Sequence, residues 1–203
     1  KNKVIKYVDE KTFVEDALRV YRAAQFAARL NFSIHPDTIK SARSIDLSNL
    51  PKERVYEEFQ KMLLRSNRPS IGIQALDNMG VLEKYYPEIA ILKSIPQRED
   101  YHAEGDVFSH TKIALDKAAN IIKRFADDKD KISIMLGVLC HDFGKSSTTK
   151  ISDKGFPVQP DHEEAGVKPA QAFLSKLTDN VDIIDNVLFL VEHHLLPMHL
   201  HRN

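Results

Sequence analysis

One cysteine in 203 residues leaves no partner for an intrachain disulfide and fits a reducing cytoplasm. Tryptophan is absent, and no apolar run approaches the roughly 18 residues of a membrane-spanning helix. No membrane partner is therefore expected. Lys1 to Lys11 is charged throughout, unlike a signal peptide, and a chain that starts with Lys reads as a piece of something longer. Excess charge is also missing, since 29 Lys and Arg balance 29 Asp and Glu. The balance is uneven along the chain. Residues 1–95 hold 16 basic against 12 acidic side chains, and residues 96–203 hold 13 against 17. The split suggests an anion-facing first part and a cation-binding second part. Alternating strand patterns and internal repeats are lacking too, so an all-α fold is expected.

What is present reads as helix after helix. Thr12 with Glu15 three residues on has the form of a capping box opening a periodic run from Val14 to Leu30. Its many alanines let a neighbouring helix come close, while Arg19, Arg22 and Arg29 line another face. Pro36 starts a short helix to about Ala42, at the position where proline is best tolerated. Leu47–Pro51 is a turn, and Lys52–Arg65 follows with Val55, Phe59, Met62 and Leu63 on one side. Pro69–Met79 is stopped by Gly80, and Val81–Leu92 bends around Pro87. Two regions, 1–95 and 96–203, are expected.

The chemistry-bearing residues concentrate in the second region. His141-Asp142 stands at the end of the most apolar run, Ile132–Leu139, inside an expected helix Lys131–His141. Gly144 is expected to end that helix in the left-handed conformation, and Lys145 follows. Cys140 reads as a small buried hydrophobe. An imidazole beside a carboxylate suits Zn, Mn, Fe, Ni or Mg better than a thiol-selective metal. By itself the pair says little. Five of the nine histidines, however, form a spaced series: His110, His141, His162, His193 and His194. Each lies on a predicted helix or its border: from Val107 to about Phe125, from Asp161 to about Leu177, and from near Val181 to His194. Consecutive helices that each deliver a ligand build a metal centre inside a bundle. His35, His199 and His201 read as solvated, and His102 and Glu104 as supporting residues at best.

The order His110, His141-Asp142 with Gly144-Lys145, His162 with Gly166, then His193-His194 resembles the HD-domain superfamily of metal-dependent phosphohydrolases. The stretches His102–Thr111 and Asp161–Val167 are similar to the HD domain of bacterial tRNA nucleotidyltransferases. That resemblance covers about residues 95–203. It implies a divalent metal (Mg, Mn, Ni, Fe or Zn) between His110, His141, Asp142, His162 and the His193-His194 pair. Asp142 would bridge or orient, and Lys145 would help hold phosphate. The superfamily's last ligand is usually an Asp well downstream of the paired histidines, and the sequence stops nine residues after His194. An HD domain cut short at its C-terminus is therefore expected.

Glu15-Asp16-Ala17-Leu18-Arg19 has a carboxylate and a guanidinium three residues apart. On one helix face that spacing is most simply an ordinary ion pair. The stretch Phe13–Leu30 is nevertheless similar to the nucleotide-selecting helix of class II tRNA nucleotidyltransferases, the CCA-adding enzymes and bacterial poly(A) polymerases. The resemblance implies that Asp16 and Arg19 pair with an incoming base, with Arg22 beside them toward RNA. Leu50–Glu58 looks like the family's neck motif. Ala17 stands where Pro is common, and Gln25 where Arg is common. A polymerising head would precede residue 1, and without its carboxylates no triphosphate can be positioned. The resemblance thus implies a helical neck and RNA-binding region followed by an HD bundle. Its partners would be tRNA or RNA 3′ ends and nucleotides. Two functions follow: hydrolysis of 2′,3′-cyclic phosphates, 2′-nucleotides or RNA-terminal phosphates, or a non-catalytic RNA-binding module with a vestigial metal site.

Overall fold

The computed structural model describes residues 2–98 and 105–196. His102, Glu104, His199 and His201 lie outside the described residues. The first helix, α1 (Glu10–Glu15), is capped by Asp9, whose side chain accepts from the Thr12 amide at 2.8 Å. The single helix expected over Val14–Leu30 is instead two, and the cap is Asp9 rather than Thr12. Asp16 leaves the helical region at φ −124°, ψ 96°, and its carboxylate accepts from the Leu18 amide at 3.2 Å. An Asp side chain that bonds the backbone two residues on competes with the helix. The chain therefore turns before α2 (Arg19–Leu30), which Asn31 closes in the left-handed conformation at φ 54°.

The alanines of α2 let other helices come close. Val20, Ala24 and Ala27 are fully buried. The rest of the first region follows its punctuation: α3 (Pro36–Ser44), α4 (Lys52–Leu64), α5 (Pro69–Asn78), α6 (Val81–Tyr85) and α7 (Pro87–Ala90), with a 3₁₀ turn over Ile91–Ser94. Gly80 ends α5 at φ 74°, a conformation that favours glycine. At Gly72 on α5, an added Cβ would meet the Met62 sulfur at 2.3 Å.

In the second region Asp106 caps α8 (Val107–Ile121) by accepting from the Ser109 amide, and a 3₁₀ turn extends it over Ile122–Arg124. Then come α9 (Asp128–Cys140), the short α10 (Lys145–Thr148), α11 (His162–Leu177) and α12 (Val181–His193). The expected all-α class holds. Among the described residues the strands are two pairs of two residues: β1 (Val4–Ile5) parallel to β2 (Ser33–Ile34), and β3 (Lys150–Ile151) antiparallel to β4 (Pro157–Val158).

A run of aromatic contacts crosses the interior and ends at the His-Asp motif. Tyr21 of α2 meets Phe59 of α4 at 6.1 Å, Phe59 meets Tyr86 and Phe173 at 5.6 and 6.3 Å, and Phe173 of α11 meets Phe143 at 5.8 Å. Each such ring stabilises by about 2–3 kcal/mol when fully buried. Phe143 follows Asp142 directly, so packing that begins on α2 anchors the residue beside the cluster.

Candidate metal centre and nucleotide-facing helix

Helix ends supply the imidazoles. His141 and His194 each follow the last residue of an apolar helix, α9 and α12, and His162 opens α11. All three bond backbone in the same way. His141 Nδ1 lies 2.7 Å from the Val138 carbonyl, His162 Nδ1 2.8 Å from that of Gln159, and His194 Nδ1 2.7 Å from that of Val191. A carbonyl only accepts, so each Nδ1 carries its proton and each neutral ring keeps its Nε2 lone pair for another partner. This is the arrangement that fixes metal-ligating histidines.

The three Nε2 atoms converge on Asp142, whose side chain is 2% exposed. Its Oδ2 lies 3.2 Å from His141 Nε2, and its Oδ1 lies 3.4 Å from His162 Nε2. His162 and His194 Nε2 are only 3.2 Å apart. Two lone pairs at that distance repel unless a proton or a cation lies between them. His110, His141 and Asp142 form one group of converging ligand atoms, and Asp142, His162 and His194 form a second. The residues fit a divalent cation: a shared hard carboxylate, imidazoles with the free nitrogen inward, and a buried Asp142 Oδ2 without a hydrogen-bond partner.

Lys145 complicates the charge balance. Its ammonium forms an ion pair with Asp142 Oδ2 at 2.9 Å and donates to the Gln97 amide oxygen at 3.0 Å. Lys145 opens α10 and is 7% exposed. Burial raises the Asp142 carboxyl pKa, but the histidines and Lys145 outweigh it and hold that pKa well below the carboxylate range. At His162 burial works against protonation, yet the Asp142 carboxylate and the Gln159 carbonyl prevail and push its pKa up. Burial, with the neighbouring imidazoles, pushes His194 down.

Gly144 does not end its helix in the left-handed form, as the sequence led us to expect; it sits at φ −66°, ψ −21°. Its role is close approach. A Cβ there would lie 1.9 Å from the His162 carbonyl oxygen and 2.5 Å from the Gly166 amide nitrogen. Only glycine lets the first turn of α11 press His162 against Asp142. Gln97 and the three carbonyls were not foreseen. Gln97 is 48 residues from Lys145 and has no local signal, and the close approach of Gly144 to Gly166 exists only once the helices pack.

His193 is not brought into either group. Its ring lies against Phe189 at 4.4 Å between centroids, and it lines an apolar cleft of about 580 Å³ with Ile134, Val138 and Leu190 that opens onto His141 and His194. A cleft of similar size, about 560 Å³, lies between α2, α5 and α8 and contains none of the histidines.

In the first region Asp16 and Arg19 do not share a continuous helix face, because the break at Asp16 separates them. The Arg19 guanidinium bonds the Thr12 carbonyl and lies 3.9 Å from the Asp16 carboxylate. Arg22 is exposed on α2. Gln25 is buried, with its amide nitrogen unpartnered among the described residues.

Family models match both parts of the chain. Residues 31–92 match the probable RNA and SrmB-binding site of polymerase A, and residues 107–201 match the HD domain. The multifunctional CCA protein of Pasteurella multocida is 34% identical over 209 residues, covering all of this chain and 47% of that protein. This chain is a homologue of the multifunctional CCA proteins. The relative from Acinetobacter baumannii (strain SDF) is 36% identical over 183 residues, 87% of this chain and 42% of its own. The CCA-protein homologue thus spans about half the length of the curated relatives it matches. A solved tRNA-processing enzyme with CTP aligns with 97% of this chain and 56% of its own at 18% identity, with a TM-score of 0.38. That score is too low to add to the sequence match. In this homologue the HD match covers every converging histidine, and no helix among the described residues is long and apolar enough to cross a membrane.

Proposed function

We propose that this CCA-protein homologue is a tRNA-processing protein in which residues 96–203 hydrolyse phosphoesters at RNA ends while residues 1–95 hold the RNA 3′ end or a nucleotide. The substrates are 2′,3′-cyclic phosphates, 2′-nucleotides or terminal phosphates. His110, His141, Asp142, His162 and His194 hold one or two divalent cations, and His193 stands beside them. The observation that carries this reading is the convergence of three backbone-tethered imidazoles on one buried carboxylate. When bound, a divalent cation supplies Lewis acidity, making water nucleophilic near neutral pH and offsetting charge on phosphoryl oxygens. The chain's own residues do the rest. The Val138, Gln159 and Val191 carbonyls fix each ring, Asp142 sets its carboxylate beside the His141 and His162 Nε2 atoms as a further ligand, and Lys145, held by Gln97, can pair with Asp142 or an incoming phosphate. In the first region Asp16 and Arg19 offer an acceptor and a planar donor to a base edge.

A non-catalytic RNA-binding module is the second reading, and Lys145 favours it. Its ammonium already neutralises Asp142 at 2.9 Å. Hydrolysis of 2′,3′-cyclic AMP with added Mn²⁺ separates the two. Turnover abolished by chelator and by Asp142→Ala and His162→Ala, in variants with wild-type circular dichroism, is the expected result. Turnover equal in all three proteins, or absent from the wild type with each of Mn²⁺, Ni²⁺ and Zn²⁺, would leave the binding module.

A further inference from the structure

We propose that the solvent-facing side of α2 is a stacking platform for a single-stranded RNA end, with a base on Phe26 and the flanking phosphates on Arg22 and Arg29. The proposal rests on the assignment of residues 1–95 to RNA ends and adds the contacts that would hold one. At about 100° per residue, Arg19, Arg22, Phe26, Arg29 and Leu30 fall on one stripe of the helix. The opposite side, Val20, Ala24, Ala27 and Ala28, is buried to 2% exposure or less, so the stripe cannot turn inward. Phe26 is 37% and Leu30 51% exposed, a large apolar surface to leave in water.

Cations frame that surface. The Arg29 guanidinium lies 6.0 Å from the Phe26 ring centroid, at the reach of a cation–π contact. Helix α2 contains no acidic residue, and among the described residues neither Arg22 nor Arg29 pairs with a carboxylate. An unneutralised pair of planar guanidiniums beside an aromatic ring suits phosphates that alternate with bases. A protein partner would need carboxylates at that spacing, whereas a nucleic-acid strand carries an anion at every residue. The stripe also continues directly from Arg19, so a stacked base would lie next to the proposed base-pairing position.

The chain has no tryptophan, so Phe26→Trp creates a single emission reporter. Binding of a fluorescein-labelled single-stranded RNA octamer to the 203-residue chain would be followed by anisotropy. We expect Phe26→Ala to weaken binding about 5- to 100-fold without moving the thermal midpoint, and Phe26→Leu to weaken it similarly despite remaining apolar. Phe26→Trp should keep binding and lose emission on saturation. Arg22→Gln and Arg29→Gln should each lower the salt dependence by about 0.7. Unchanged binding by Phe26→Ala, or Trp emission unmoved by RNA, would overturn the platform and leave the stripe as a protein contact. If Arg19→Ala still weakens binding, the RNA-end assignment survives that outcome. Absence of binding by the wild type overturns both.

Discussion

The two regions keep their polar chemistry in opposite ways. On α2 the charged groups face water: Arg22 and Arg29 are exposed, and Arg19 is held by one carbonyl and a carboxylate 3.9 Å away. In the His-Asp cluster everything is fixed before any ligand arrives. Asp142 and Lys145 are buried, three rings are tied to carbonyls, and a glycine sets the spacing of two helices. A long, charged, multi-residue ligand is met by adaptable side chains on a rigid helix. A small, highly charged ion needs preorganised ligands, because burial makes every unpaired group costly.

If that contrast is right, substitutions of similar size should differ greatly between the regions. Asp142→Ala should have the largest effect. It leaves the Lys145 ammonium buried with only Gln97, and we expect about 3–5 kcal/mol of destabilisation in urea titrations, together with loss of bound metal. Gly144→Ala follows, at about 3 kcal/mol or more, because the new Cβ meets backbone on α11 that has no room to yield. Gly80→Ala in the first region makes the matched case. It sits at φ 74° with only the Arg43 side chain near, and about 1 kcal/mol is expected with metal content unchanged. Equal costs for the two glycine variants would break the comparison.

Legibility from sequence divided along the same line. His110, His141, Asp142 and His162 were readable because consecutive helices deliver them, and proline and glycine marked the helix borders of the first region from Pro36 to Pro87. What was missed depends on contacts distant in sequence. Gln97 meets Lys145 across 48 residues, and the glycine of Gly144 is explained by His162 rather than by its own helix. His193 and His194 look equivalent as neighbours, yet a turn of about 100° points one at the cluster and the other at Phe189. The break at Asp16 was hidden because Asp is tolerated in a first helical turn and also competes with it through its side chain.

Acidity should sharpen the comparison on a smaller scale. The His162 pKa is raised, so its contribution to stability is complete below the ordinary imidazole value of about 6.5 and is lost as pH rises through the raised value. For His194 the pKa is lowered, so the unfolded chain takes up the proton first and stability falls as pH drops below about 6.5. The two histidines therefore act on opposite sides of about pH 6.5 in the metal-free chain, and a His194→Ala variant should lose the part of the acid-side fall that His194 contributes. Urea midpoints between pH 5 and 8 measure both. The smallest effect is expected from Arg19→Glu. Its side chain is partly exposed, so stability should change by no more than about 0.5 kcal/mol and metal content not at all, while RNA binding weakens. Strong loss of metal or hydrolysis in that variant would contradict the partition into 1–95 and 96–203.

Elemental analysis of the purified chain beside its His162→Ala and His193→Ala variants, after equilibration with Mn²⁺, tests the metal centre most directly. About one or two equivalents in the wild type, retained by His193→Ala and lost by His162→Ala, is the expected result. No metal in the wild type, or loss on changing His193 but not His162, would contradict the site described above.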